Sequence, residues 1–138
     1  MAADRRESRI LAMQALCEWD TQQEKSTPRL LELFAQLGAE QGALGYAIEL
    51  VERFWNQQQD VDQRISQAAQ HWELPRISPV ERNVMRVAVV EVMAGAVPPR
   101  VALNEAIEIG KEFGGADSPR FINGVLDAVW KKFMPALE

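Results

Sequence analysis

Apolar residues recur at helical spacing along nearly the whole chain, and nowhere do β-branched residues alternate with polar ones over a strand-length run. Residues 5–20 place Ile10, Met13, Leu16 and Cys17 on one stripe, with Trp19 near its far end. A polar loop, TQQEKST, separates them from a short helix opened by Thr27 and Pro28, which carries Leu30, Leu31, Leu33, Phe34 and Leu37 and is closed by Gly38. Residues 43–56 predict a third helix with Leu44, Ile48, Val51 and Trp55 facing inward. The QQQD run at 57–60 bends or frays it, and Val61, Ile65, Ala68, Ala69 and Trp72 continue the pattern to Leu74–Pro75. Ser78-Pro79-Val80-Glu81 then reads as a capping box, with serine at the N-cap, proline at the first position and glutamate at the third. The helix it opens, to about Met93, is apolar nearly all round and should be the most buried. Only Glu81, Arg82, Arg86 and Glu91 reach from it toward water or partners.

After a turn at Gly95–Pro99, the stretch from Val101 to Asp127 reads as helix, turn, helix. Leu103, Ala106, Ile107, Gly110 and Phe113 form the apolar face of the first half, while Glu105, Glu108 and Glu112 fall on a wet side. Gly114 and Gly115 stop that helix, glycine readily taking the left-handed C-cap conformation. Asp117 or Ser118 caps the next helix and Pro119 occupies its first position. Ile122, Val125, Leu126, Val129 and Phe133 make its buried stripe, and Phe121 lies roughly 90° off the stripe's centre at 100° per residue. An aromatic ring thus stands at the edge of a helix N-terminus beside Arg120 and Lys111. Such a corner suits an unpaired base, since aromatic rings stack on bases and helix N-termini attract phosphate. The other reading is a core phenylalanine folded under the glycine turn, the commoner fate of an aromatic residue.

Composition narrows the function. With 138 residues, 47% hydrophobic and 25% charged, the chain is one ordinary domain able to bury its own core. No apolar run approaches the roughly 18 residues that cross a bilayer, and the N-terminal MAADRRESR has no signal-peptide hydrophobic region. A single cysteine, Cys17, excludes an internal disulfide and fits a reducing, cytoplasmic setting. The net charge of −5 argues against broad, non-specific nucleic-acid binding, so any such contact must be local. Arg5, Arg6 and Arg9 sit where cations are disfavoured by the helix dipole. Either an arginine arm that meets phosphate or a solvated, frayed terminus accounts for them, diluted by Asp4 and Glu7.

Catalysis finds no support. His71 is the sole histidine and Cys17 the sole thiol, with no zinc-site spacing. A Cys17–His71 nucleophile pair exists on paper, but Cys17 lies on an apolar stripe and His71 reads as covering a helix end. Glu105, Glu108 and Glu112 lack the histidines of a di-iron site, and there is no phosphate-binding glycine loop. The expectation is a protein that is no enzyme and carries no cofactor or metal.

Four segments carry a resemblance: Arg5–Arg6 with Ala12-Met13-Gln14-Ala15-Leu16 and Trp19; Ser78-Pro79-Val80-Glu81-Arg82 with Val84 and Arg86; Val101 to Lys111 around Asn104-Glu105-Ala106; and Phe113-Gly114-Gly115 through Asp117-Ser118 to Phe121-Ile122-Asn123-Gly124-Val125-Leu126-Asp127. Together they make the chain similar to the bacterial transcription antitermination factor NusB family along nearly its whole length, residues 20–75 matching only in helical character. The resemblance implies an all-α fold of two three-helix subdomains, about 1–74 and about 75–138, packed as a single domain over 1–138. It implies binding of boxA-type RNA from ribosomal RNA leaders, together with the ribosomal small-subunit protein NusE, in an RNA polymerase antitermination complex. It further implies phosphate contacts from Arg5, Arg6 and Arg9 and a base stacked on Phe121. Asp117 and Glu81 would accept hydrogen bonds from base edges or fix neighbours, with Arg86, Lys111 and Arg120 on the same face. Some family members self-associate through the RNA face, so monomer and homodimer both stay open.

Two departures stand out. Cys17 replaces a tyrosine able to stack, and Glu7-Ser8 interrupts the arginine arm; both predict weaker or altered RNA affinity. The competing readings are a helical protein-interaction module with little RNA binding, and a domain of the kind that heads some RNA methyltransferases. An ending at Leu137–Glu138 with no second domain counts against the latter.

Overall fold

The Ser78 hydroxyl accepts the Glu81 amide N–H at 3.4 Å, and from that cap α4 (Pro79–Met93) runs through the middle of the molecule. Every residue from Asn83 to Val92 is buried, the polar Asn83, Arg86 and Glu91 included. Around α4 pack α1 (Ala2–Gln22), α3 (Gln41–Ala68), α5 (Pro99–Phe113) and α6 (Ser118–Phe133). The short α2 (Thr27–Gln36) lies against α1 and α3, and a 3₁₀ turn at Leu74–Arg76 joins α3 to α4. This computed structural model describes residues 2–70 and 72–133, with side chains from Arg5 onward. His71 and the Leu137–Glu138 ending lie outside the described residues. Every regular element among the described residues is helical, and none of the helices is long and apolar enough to cross a membrane.

The nearly all-apolar α4 is central, as its sequence predicts. Its capping box, however, is only half closed. The Glu81 side chain does not return to Ser78; it turns to α6 instead. Helix α1 runs antiparallel to α4, Arg9 reaching Glu91 near the far end and Asp20 reaching Arg82 near the start. Gln57, at φ −122° and ψ 17°, breaks α3 where the glutamine run predicts a bend.

Several buried faces are turned from their predicted centres. On α3 the inward set is Ala43, Ala47, Leu50, Val51 and Phe54, leaving Leu44, Ile48 and Trp55 half-buried. Small residues at 43 and 47 let α1 approach closely enough for the Ser8 hydroxyl to donate to the Ala43 carbonyl at 2.8 Å. Phe54 then fills the space against Trp19, edge to face at 5.5 Å. On α5 the inward set is Ala102, Ala106, Ile109 and Gly110, and Phe113 is exposed. Trp130 joins the predicted stripe of α6 as one of the largest buried side chains. Leu31 of α2 and Leu37 just after it face solvent, since one side of so short a helix suffices to cover its neighbours.

The left-handed stop predicted at Gly114–Gly115 is corrected. Gly114 adopts an extended conformation, φ −97° and ψ −167°, and the glycines with positive φ are Gly38 and Gly95. Space, not handedness, requires a glycine here. A β-carbon at Gly114 would collide with the Ser118 hydroxyl and lie 2.8 Å from the Gly110 carbonyl oxygen.

Candidate nucleic-acid interface

At the C-terminal end of α4 the arginines of α1 meet acids brought from two other helices. Arg9 is 6% exposed; its Nε donates to Glu91 at 2.7 Å and its Nη1 to Glu105 at 3.1 Å. The Tyr46 hydroxyl donates to the other oxygen of Glu91 at 2.5 Å. Burial, together with that hydrogen bond to Glu91, pushes the Tyr46 phenol up to about 12. Arg6 forks onto Glu105 with bonds of 3.0 and 2.7 Å, which hold the Glu105 carboxyl below its usual range despite partial burial. Arg5 is exposed and lies over the Tyr46 ring at 3.7 Å. The cations that a helix N-terminus should disfavour are thus offset by Glu91 and Glu105. Glu105, expected to be simply wet, is half-buried beneath them.

Midway along α4, Arg86 is 4% exposed. Its Nε and Nη2 donate to Asp62 at 2.8 and 2.9 Å, and its Nη1 donates to Asp20 at 2.7 Å and Asn83 at 3.0 Å. Arg82 donates to Asp20 and to the Leu74 and Ile77 carbonyls. Burial raises the Asp20 carboxyl, but hydrogen bonds from Arg86 and Asn83 outweigh it and hold that group below its ordinary value. At Asp62 burial wins, and the carboxyl is pushed up. Cys17 lies beside this network, half-buried, with its sulfur 3.5 Å from the Pro79 carbonyl; burial pushes the thiol up, away from the reactive thiolate.

At the other end, the N-termini of α4 and α6 are tied together. Ser118 is buried; its hydroxyl donates to Glu81 at 2.6 Å and accepts the Gly115 N–H at 2.9 Å. One turn on, Phe121 is half-buried and meets Trp72 edge to face, ring centres 6.2 Å apart at 83°. The two rings border a shallow groove floored by Ala68, Gly124 and Ala128 and rimmed by Asp117 and Arg120. Both rim side chains are exposed, and neither makes an ion pair or side-chain hydrogen bond among the described residues. Lys111 follows Gly110, which faces Ile122 and Ser118; its ammonium pairs with Glu108 on its own helix at 3.2 Å.

The nine residues singled out in the sequence therefore fall into three places. Glu81, Lys111, Asp117, Arg120 and Phe121 gather around the start of α6; Arg5, Arg6 and Arg9 dock near the end of α4; Arg86 is sealed between them. Ten residues of α4 separate Glu81 from Glu91, about 15 Å at 1.5 Å per residue. Arg9 and Arg86 offer little to a ligand and hold helices in place. Sequence reading missed Trp72 as part of this surface. It matched the α3 stripe, but Ala69, at φ −88° and ψ 66°, ends the helical phase before Trp72 is reached. Tyr46 was also missed, because its partners come from α1 and α4.

Comparison with known proteins places these features in context. The model of the NusB family matches residues 6–131. A transcription antitermination protein NusB from Oleidesulfovibrio alaskensis is 40% identical over 136 residues, covering 94% of this chain and 88% of its own. The solved structure of T. maritima NusB superposes with a TM-score of 0.82 at 30% identity, covering 96% of this chain and 94% of that one. A chain from the crystal structure of antitermination factors NusB and NusE in complex with dsRNA shares the fold, with a TM-score of 0.84 at 24% identity over 96% of this chain and all of that one.

Proposed function

This chain belongs to the NusB family, and we propose that it is an RNA-binding adaptor of transcription antitermination. It binds boxA-type RNA of ribosomal leaders together with NusE and favours read-through by RNA polymerase. It works as a binding protein in the cytoplasm, not as an enzyme. The observation that carries this reading is the half-buried Phe121 ring, flanked by a guanidinium at Arg120 and an acceptor at Asp117 that are both without a partner among the described residues. A ring, a cation and an acceptor in one groove match a base, its phosphate and its donor edge. The strand then crosses the junction between the two three-helix groups, about 1–74 and 75–138, toward Arg5 and Arg6. Those two retain exposed guanidinium surface, whereas Arg9, Arg86 and Glu81 position the elements that carry the contacts.

The test is titration of a labelled boxA-type RNA, alone and with NusE. Sequence-selective binding that collapses in Phe121→Ala is expected. Equal affinity for scrambled RNA, with no loss in that variant, would overturn the reading. A second reading, a protein-interaction module with little RNA affinity, draws on the arginines already being paired with Glu91 and Glu105. It requires NusE binding to persist without any RNA binding at physiological salt. Light scattering over a range of concentrations distinguishes monomer from homodimer.

A further inference from the structure

Trp72 is the most exposed of the large hydrophobic side chains among the described residues, at 51%. A lone exposed apolar residue would call for no explanation, but this one is continuous with Phe121 and a floor of Ala68, Gly124 and Ala128. We propose that Trp72 is a second aromatic contact for RNA, forming with Phe121 one corner-shaped subsite in which a single unpaired base lies flat on Phe121 and edge-on to Trp72. The inference rests on the adaptor reading and extends it to a residue whose role the sequence conceals.

Two rings at 83° cannot both stack on one base, so the corner divides the work. The base lies flat on one ring and abuts the other edge-on, which fixes its depth and tilt. The floor is cut low enough for this, since a β-carbon at Gly124 would meet nothing within 4 Å. Charge favours a nucleotide over an apolar peptide side chain. Arg120 and Asp117 rim the same groove, and among the described residues neither carboxylate nor guanidinium has a partner. Covering both with an apolar partner would strand them. A phosphate and a base edge satisfy them.

The experiment measures binding of a fluorescein-labelled single-stranded boxA-type RNA to the intact protein and to Trp72→Ala, Trp72→Phe and Phe121→Ala, with thermal melts of each. Trp72→Ala is expected to weaken binding about 2- to 13-fold, the range for losing one edge-to-face aromatic pair, with Trp72→Phe recovering most of it and melts unchanged. Wild-type affinity in Trp72→Ala, alongside a loss in Phe121→Ala, would overturn the subsite and leave the adaptor standing. Equal losses in Trp72→Ala and Trp72→Phe would overturn an aromatic contact as the cause. Loss of NusE binding with RNA affinity intact would make the patch a protein-docking surface and reject the proposal. No RNA binding by the wild type would remove the adaptor reading and this inference together.

Discussion

The Ser118 hydroxyl donates to Glu81 across 2.6 Å, joining the first turn of α6 to the first turn of α4. The same oxygen accepts the Gly115 N–H, so one buried hydroxyl fixes two helix starts and the turn between α5 and α6. Phe121 stands three residues further on. Its direction is therefore set by a hydrogen bond to the most buried helix of the molecule.

Gly114→Ala should destabilise the protein by about 1–3 kcal/mol, the range for overpacking a filled site. The added carbon meets the Ser118 side chain and the Gly110 carbonyl, and the backbone oxygen cannot rotate away. Gly115→Ala is the control: its added carbon meets nothing within 4 Å and its φ is not positive, so it should be neutral or slightly stabilising. Urea melts of both variants check the contrast, and equal stability of the two would contradict it.

The helices were legible because their caps and apolar repeats are local signals. Ser78-Pro79 starts α4, and the glutamine run bends α3 at Gln57. The buried faces were less so, since small residues such as Ala43 and Ala47 carry little hydrophobic weight yet decide how close two helices come. Of the candidate site, the position of Phe121 was legible, because its angle off the stripe of α6 is a property of one helix. The arginines were not. Nothing near Arg9 in the sequence announces Glu91, 82 residues away, or marks which guanidinium is buried. Arg86 likewise looks like an edge charge until Asp20 and Asp62 arrive from α1 and α3.

Replacing Arg86 by methionine should destabilise the fold by up to about 3–5 kcal/mol, because the half-buried Asp62 would lose the guanidinium that holds both its oxygens, while Asp20 keeps Arg82 and Asn83. Any weakening of RNA binding should then follow the fraction unfolded. Chemical denaturation combined with binding at a temperature where the variant is fully folded separates the two. A folded variant of wild-type stability with reduced RNA affinity would instead make Arg86 a direct contact.

Tyr46 is the only tyrosine, so its ionisation can be followed alone by phenolate absorbance. The native protein should titrate near 12, against about 10 in denaturant, because burial and the bond to Glu91 both oppose the phenolate. The raised value fixes the sign: stability from this group is complete below about pH 10 and is lost as pH rises through 12. Tyr46→Phe should flatten that alkaline loss. A native midpoint near 10 would mean that the bond to Glu91 is absent in solution.

Salt dependence separates the two ends of the proposed RNA surface. Arg6 is bound to Glu105 in the free protein, but the pair is half open to solvent, with Arg6 49% exposed, and exposed ion pairs contribute only about 0–1 kcal/mol. A phosphate can therefore displace Glu105, whose carboxylate keeps its bond to Arg9 when Arg6 leaves. Arg6→Ala should lower the slope of log affinity against log salt by about 0.7, one phosphate contact on a single strand. Phe121→Ala should weaken binding at every salt concentration and leave the slope unchanged, because stacking releases no counterions. Titrations at four or five ionic strengths read both. If the Arg6→Ala slope matches the wild type while affinity at Phe121 still matters, the guanidinium stays locked on Glu105 and the strand ends at the α6 groove.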